Sequence, residues 1–285
     1  MAETRPTATV KQATSVQVRK SSNAISLIAP VLCLLTGYLL WRFVLGSADN
    51  FEKGTAGGFW PDREGPKSAL SKMYLGGIIV PILLGTFLTM LVFVIERFMT
   101  IAKASGTGNN SDFIRKVQYH LANKNVDAAL TECDKQKGSV GNVMKAGLSR
   151  YKDMISDNEL NTEQKVLAIQ KEVEEATSLE LPMLEKNLVF LSTIATIATL
   201  IGLLGTVVGM IRAFAGLGAD SGGASSAAQL SIGISEALYN TALGIGTSAF
   251  AIVFYNIFTT KIDGITYGID ESGFTLTQTF ASLYK

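Results

Sequence analysis

The sequence predicts an all-α membrane protein with four transmembrane helices, two of them very long and extending into the cytoplasm. Three observations carry this. Charged residues make up only 17% of the 285 residues, against about 25% in soluble domains, and the mean hydropathy is +0.28. The charge that exists is fenced off: no Asp, Glu, Lys or Arg occurs in 21–41, 73–95, 187–211 or 237–260. Each gap is at least as long as the roughly 20 apolar residues that cross a hydrocarbon core of about 30 Å. The third gap is preceded by charged sequence with apolar positions at helical spacing, and the helix around the fourth, 228–260, runs to roughly 48 Å, so both helices should outrun the bilayer.

Residues 1–22 are rich in Thr, Ser and Gln with scattered Lys and Arg, the composition of a disordered tail. The first span, "AISLIAPVLCLLTGYLLW", is placed at 23–46. It ends in "VLGSA", which also fits a signal-peptidase site. Its apolar run is longer than the usual signal core of about 7 to 15 residues, so a retained anchor is expected. The Gly/Pro-rich loop 47–72 follows, with Phe59 and Trp60 suited to a membrane interface. The second span, 73–96, contains Pro81 and should kink there.

Residues 97–186 are the only sizeable soluble region. Phe113, Val117 and Leu121 recur at i, i+4 and i+8 on one helix face. "NVDAALTEC" and "GNVMKAGLSRY" read as further short helices, parted by a turn at Gly138-Ser139. From Thr162 a helical pattern resumes, with Val166, Ile169, Val173 and Ala176 at a/d-like spacing. It runs into the third span, 187–215, with Pro182 as a possible bend, so that one helix of about 162–215 is expected. A turn at 216–227, the fourth span at 228–260 and a tail at 261–285 complete the chain. The 97–186 region holds 13 Lys and Arg, and the stretch 212–227 only Arg212. Positive charge marks the cytoplasmic side, so the soluble region and both termini are expected in the cytoplasm and the turn outside.

Composition also excludes. A net charge of +1 argues against a nucleic-acid partner. His120 is the only histidine, which removes three-histidine sites. Cys33 lies in a span and Cys133 in the soluble region, so neither a disulfide nor a metal site is expected. The sequence carries no P-loop, GxSxG, HExxH or paired-cysteine motif. "GLLGTVVG" lacks the lysine and the strand-turn-helix setting of a nucleotide loop. No enzyme, metal or cofactor is expected.

The informative pattern is a stripe of small and hydroxylated residues. Ala195, Thr199, Gly202, Thr206 and Gly209 recur at i+3 or i+4 in the third span, and Ala237, Thr241, Gly244, Ser248 and Ala251 in the fourth. Glycine and alanine let helix backbones approach, and hydroxyls bond between them. Packing requires neither threonines on both helices nor a glutamate. Glu236 stands about eight residues, roughly 12 Å, into its helix. Either it faces a bundle interior or wet cavity, or it sits near the external interface. Asn240 follows one turn on, at hydrogen-bonding spacing from Glu236. Thr241 points about 140° away from Glu236, toward a different surface.

"TIATLIGLLGTVVGMIRAF" followed by "GISEALYNTALGIGTSAFAIVFYN" resembles the paired transmembrane signature of the ExbB/TolQ/MotA proton-channel family. The likeness extends back through "GSVGNVMKAGLSR" to about residue 75, and within the family the sequence looks most like the ExbB branch. The resemblance implies a three-helix core, to which the first span is an addition. It implies an ion-conducting, proton-conducting subunit of a bacterial inner-membrane motor that energises TonB-dependent outer-membrane transport. It implies a homopentamer around a dimer of ExbD-like single-span proteins bearing an intramembrane aspartate, with a TonB-like partner. The family's pore threonines fall on Thr206 and Thr241 and its glutamate on Glu236, supported by Thr199, Gly202, Gly209, Asn240, Gly244 and Ser248. Where many members carry prolines, this chain has Thr199 and Phe250. Two other readings stand beside this one: a stator of a Tol, flagellar or gliding motor, and a membrane scaffold without conduction.

Overall fold

The computed structural model describes residues 24–54, 63–219 and 224–284. The expected N-terminal tail, Phe59 and Trp60 lie outside these residues, as does the middle of the 216–227 turn. The first helix, α1 (Ala24–Leu39), continues as a π-helical turn over Leu40–Leu45. A two-stranded antiparallel hairpin follows, β1 (Phe51–Gly54) and β2 (Arg63–Pro66), with Phe51 opposite Pro66 and Lys53 opposite Glu64. The short helix α2 (Ala69–Leu75) opens on a capping box: Ser71 N–H donates to Ser68 Oγ at 3.2 Å, and Ser68 N–H to Ser71 Oγ at 2.9 Å. These pieces share a small core. Trp41 stacks on Tyr74 at 4.4 Å between ring centres and donates its indole N–H to the Tyr74 carbonyl at 3.1 Å, while Phe51 meets Tyr74 edge-on.

Gly76 and Gly77 turn the chain into α3 (Ile79–Ala104). Gly77 has φ +73°, which a side chain rarely tolerates. The turn moves the start of the second span to Ile79 and puts Pro81 in the first turn of α3, where its missing N–H has no intrahelical partner to lose. The expected kink therefore has no cause. α1 crosses α3 where Gly37 meets Gly85: a Cβ on Gly37 would lie 2.5 Å from the Gly85 nitrogen.

At the opposite end from the hairpin, α4 (Asn110–Ala122), α5 (Val126–Gln136), α6 (Ser139–Ser156) and α7 (Thr162–Glu185) form a helical domain. Asn125 and Asn161 cap α5 and α7, accepting from Ala128 N–H at 3.0 Å and Gln164 N–H at 2.8 Å. The predicted faces are the buried ones: Phe113, Val117 and Leu121 on α4, Ile169, Val173 and Ala176 on α7. They pack with Val140, Leu148 and Tyr151 of α6.

The single helix expected over 162–215 is two. α7 stops at Glu185, Asn187 adopts φ +66°, and α8 begins at Leu188 (Leu188–Ala219). Pro182 withholds an N–H from the last turn of α7, loosening it. Two groups of α3 hold the break open. Arg97 is 2% exposed and donates to the Leu184 carbonyl at 3.1 Å. Asn187 donates to the Glu96 carboxylate at 3.3 Å, and that carboxylate accepts two further bonds of 2.6 Å from Arg97. The last helix, α9 (Ala224–Leu283), has 60 residues, about 90 Å. The fourth span and the segment read as a tail, 261–285, are thus one helix to Leu283, because Ile262, Ile265, Ile269, Leu276 and Phe280 fill the domain core. Among the described residues, four stretches are helical, long and apolar enough to cross a membrane: Leu27–Leu45, Ile79–Ala104, Thr162–Ala215 (α7 followed by α8) and Leu230–Leu283.

Candidate functional site

The site lies along the contact of α8 and α9. Its closeness is a consequence of missing side chains. A Cβ on Gly202 would sit 3.0 Å from Gly244 Cα, one on Gly244 2.6 Å from the Ala198 carbonyl, and one on Gly209 2.8 Å from Ala237 Cβ. Ser248 closes the lower part of the seam by donating to the Ala195 carbonyl at 2.6 Å. Gly202, Gly209, Gly244 and Ser248 are buried, so their part is to bring the two backbones together. Thr199 lies off this face: it is exposed, and its hydroxyl turns back to the Ala195 carbonyl at 3.4 Å. Ala198, its neighbour, takes the interhelical position.

At the middle of the seam the hydroxyls of Thr206 and Thr241 hydrogen-bond each other across the helices. Thr241 also reaches the Gly202 carbonyl at 3.2 Å, and Thr206 the same carbonyl at 3.4 Å. Both threonines are half-exposed, while the glycines above and below them are covered. Each hydroxyl can donate one proton and accept two. The pair can therefore exchange bonds with water, with a partner carboxylate or with a passing ion, and keep a backbone carbonyl as the fallback.

Asn240 does not bond Glu236, as its spacing suggested. Its amide, 1% exposed, donates to the Gly76 carbonyl at 3.2 Å, and its Cβ lies 2.5 Å from where a Cβ on Gly205 would be. Its Oδ1 is the buried side-chain oxygen without a protein partner among the described residues. Asn240 thus ties α9 to α8 and to the α2–α3 turn at one point. Arg212 of α8 grips the same turn, with Nη1 2.6 Å from the Cβ position of Gly77. Glu236, half-buried one turn nearer the α8–α9 connection, is within electrostatic reach of Arg212.

Thr206 and Thr241 are thus brought together. Glu236 and Asn240 lie on the adjoining face, toward the hairpin end. Sequence reasoning passed over Gly205, Arg212 and the Gly76-Gly77 turn. Gly205 was visible as the residue three beyond Gly202, and "GG" before an apolar run is a turn signal. The Arg212 contact spans 135 residues of sequence and left no local trace.

Comparison with known proteins bears on the same helices. The family model described as the MotA/TolQ/ExbB proton channel family matches residues 135–271. The ExbB-like protein 3 of Synechocystis sp., described as a biopolymer transport protein, is 38% identical over 86 residues, 30% of this chain and 41% of that one. The Tol-Pal system protein TolQ of Pseudomonas aeruginosa is 27% identical over 179 residues, 57% of this chain and 77% of that one. The biopolymer transport protein ExbB of Pseudomonas putida is 39% identical over 82 residues, 29% of this chain and 24% of that one. The chain thus spans about two fifths of the length of the first of these relatives.

Proposed function

Because this chain belongs to the MotA/TolQ/ExbB proton channel family and is a multi-pass protein of the bacterial inner membrane, we propose that it is the proton-conducting subunit of a motor that drives TonB-dependent outer-membrane transport. The observation that carries this reading is the Thr206–Thr241 contact. Two half-exposed hydroxyls meet at the centre of a helix pair whose other interhelical positions are small and covered. Packing alone is served as well by Val or Ala. Hydroxyls there supply exchangeable bonds to an ion that has shed part of its hydration shell.

In this reading the hairpin end faces the periplasm, and the α4–α7 domain and both termini face the cytoplasm, as the distribution of Lys and Arg supports. Several copies, five by the family resemblance, surround a dimer of ExbD-like single-span helices, whose aspartate takes the proton from the threonine pair. Each proton moving down the potential releases about 2.3 kcal/mol per 100 mV. That work shifts the partner helices and, through them, a TonB-like protein. Glu236 and Arg212 stand at the periplasmic approach to the pair. The subunit needs no covalent chemistry of its own.

Thr206→Val and Thr241→Val keep side-chain shape and remove the hydroxyl. Each should lower uptake of a TonB-dependent substrate at least about tenfold, the effect of roughly 1.4 kcal/mol on a rate-limiting step, with the assembly intact by native mass. Undiminished uptake in both variants would sink the proposal. Proton flux into proteoliposomes, with and without the single-span partner, separates a channel from a scaffold. The TolQ match extends over more of this chain than the other two matches, which favours a Tol-type motor as the second reading; complementation of a strain lacking either system decides between them.

A further inference from the structure

A groove opens where the first turns of α7 meet the last turns of α9, at the end of the helical domain away from the spans. Its volume is about 560 Å3, and Thr162, Glu163, Val166, Leu167, Gln170 and Ala281 line it. Single apolar side chains on a surface are ordinary. Here a valine, an alanine and a leucine that is 65% exposed share one concavity. The ridge that leads from this groove back toward the spans is acidic. α7 carries Glu163, Glu172, Glu174, Glu175, Glu180 and Glu185 against Lys165 and Lys171, and Glu163, Glu174, Glu175 and Glu185 are exposed. Lys171 reaches Glu175 at 3.8 Å, which leaves the row with a surplus of negative charge.

The segment before α1 has the complementary chemistry. It holds Arg5, Lys11, Arg19 and Lys20 against Glu3, with Val10, Val16 and Val18 among Thr, Ser and Gln. α1 delivers it to the right place. Gly37 lies against Pro81 and Gly85, and Cys33 and Leu34 against Gly85, so α1 runs antiparallel to α3. About ten residues further along both helices, Ala24 stands level with Glu96, which accepts from Asn187 at the α7–α8 break. From that break α7 runs about 30 Å to Leu167. A chain spans at most about 3.3–3.6 Å per residue. Val16 and Val18, no more than about 20–30 Å from Ala24, fall short of the groove, whereas Val10, with a reach of about 46–50 Å, arrives with length to spare for the sideways path. The same reach sets Arg19 and Lys20 beside Glu180 and Glu185, and Lys11 beside Glu163.

We propose that the groove and the acidic ridge are the docking surface for residues 8–20 of the same chain. Val10 seats against Val166 and Leu167, Lys11 pairs with Glu163, and Arg19 and Lys20 meet the end of α7 nearest the spans. A tethered segment acts at an effective concentration on the order of millimolar, so exposed ion pairs and one apolar pin suffice. The contact straps the first span to the helical domain. It stands apart from the motor reading, because α1 begins at the domain end of the molecule whichever side of the membrane that end faces, and no ion takes part.

The test uses the full-length protein in native membranes, with benzoylphenylalanine placed by suppression at Val10, at Leu167, or at the exposed Tyr119 of α4 as control. Illumination at 10 should join that position to peptides of α7 or the end of α9, and illumination at 167 should join it to residues 1–20. Both adducts should keep the mass of one chain, 30.5 kDa. Position 119 should give no adduct with residues 1–20. In the Leu167 series, Lys11→Glu should lower the yield about threefold, the scale of an exposed ion pair, and Glu163→Lys in the same chain should restore it. A lipid adduct from position 10 would place the segment on the bilayer and overturn the proposal. So would an adduct at the mass of two chains or with another protein, no adduct at all, or equal yield at 119. An effect of Lys11→Glu that is absent, or that Glu163→Lys does not reverse, overturns it as well.

Discussion

Cys133, on the buried face of α5, has its thiol pushed up to about 12, chiefly by burial away from water and further by the neighbouring Asp134 carboxylate. In an unfolded chain the thiol titrates near 8.5. Between those values the unfolded state binds fewer protons than the folded one, so stability is full below about pH 8.5 and falls as pH rises toward 12. At pH 8 the folded protein should react with iodoacetamide on the order of a thousandfold more slowly at Cys133 than the denatured chain, because the thiolate is the nucleophile. Mass spectrometry of pulse-labelled peptides checks it; comparable rates would show the thiol to be solvated. At this scale the sequence disclosed the site unevenly. Thr206 and Thr241 were legible because both helices repeat small residues at three- and four-residue steps. Asn240 was legible as polar, but not as a tie to Gly76: that bond joins residues 164 apart, and no periodicity encodes so long a reach. Its buried Oδ1, without a protein partner among the described residues, is a defect of about 1–3 kcal/mol and marks how much tightness is required where α2, α8 and α9 meet.

The break between α7 and α8 shows what helix propensity leaves open. Val166, Ile169, Val173 and Ala176 mark the correct face, and Pro182 marks a weakness. Neither says that the chain will reverse φ at Asn187 instead of bending. The decision comes from α3, where Arg97 takes the Leu184 carbonyl and Glu96 takes the Asn187 amide. Helix ends leave carbonyls without intrahelical partners, and here a side chain from another element supplies the donor. Arg97→Met should cost about 3 kcal/mol, since it strands a partly buried carboxylate. Glu96→Gln with Arg97→Met should regain the part of the loss that comes from the stranded carboxylate, but not the part that comes from the Leu184 carbonyl left without its donor. Thermal unfolding in detergent, as a double-mutant cycle, reads the coupling; additive losses would show the pair to be independent. The α4–α6 helices were legible from local sequence, for they are short and packed on one face, and α4 and α5 open on asparagine caps. The hairpin was not, since β1 and β2 are four residues each, joined across a Gly-rich stretch without alternation.

Across the whole molecule, α1 and the hairpin lean on the rest along the α1–α3 contact, where Gly37 crosses Gly85, and through the Trp41–Tyr74 stack, on which Val80, Leu84 and Leu243 also close. A side chain at Gly85 meets the Leu34 Cα at 2.7 Å, and backbone cannot step aside. Gly85→Leu should therefore part α1 from α3 and lower stability by about 1–3 kcal/mol, while leaving the α8–α9 seam and proton flux as they were. Flux falling in step with stability would mean that α1 belongs to the conducting core. The 60-residue α9 has a consequence of another kind. One unbroken rod joins the threonine pair to the far end of the helical domain, so it acts as a lever. A tilt of roughly 5° about its upper end sweeps the lower end through about 8 Å, for a rod of about 90 Å. That tilt moves Thr241, about 26 Å from the upper end, by about 2 Å and Phe280 by about 7 Å, more than the roughly 5.4 Å height of a helix turn.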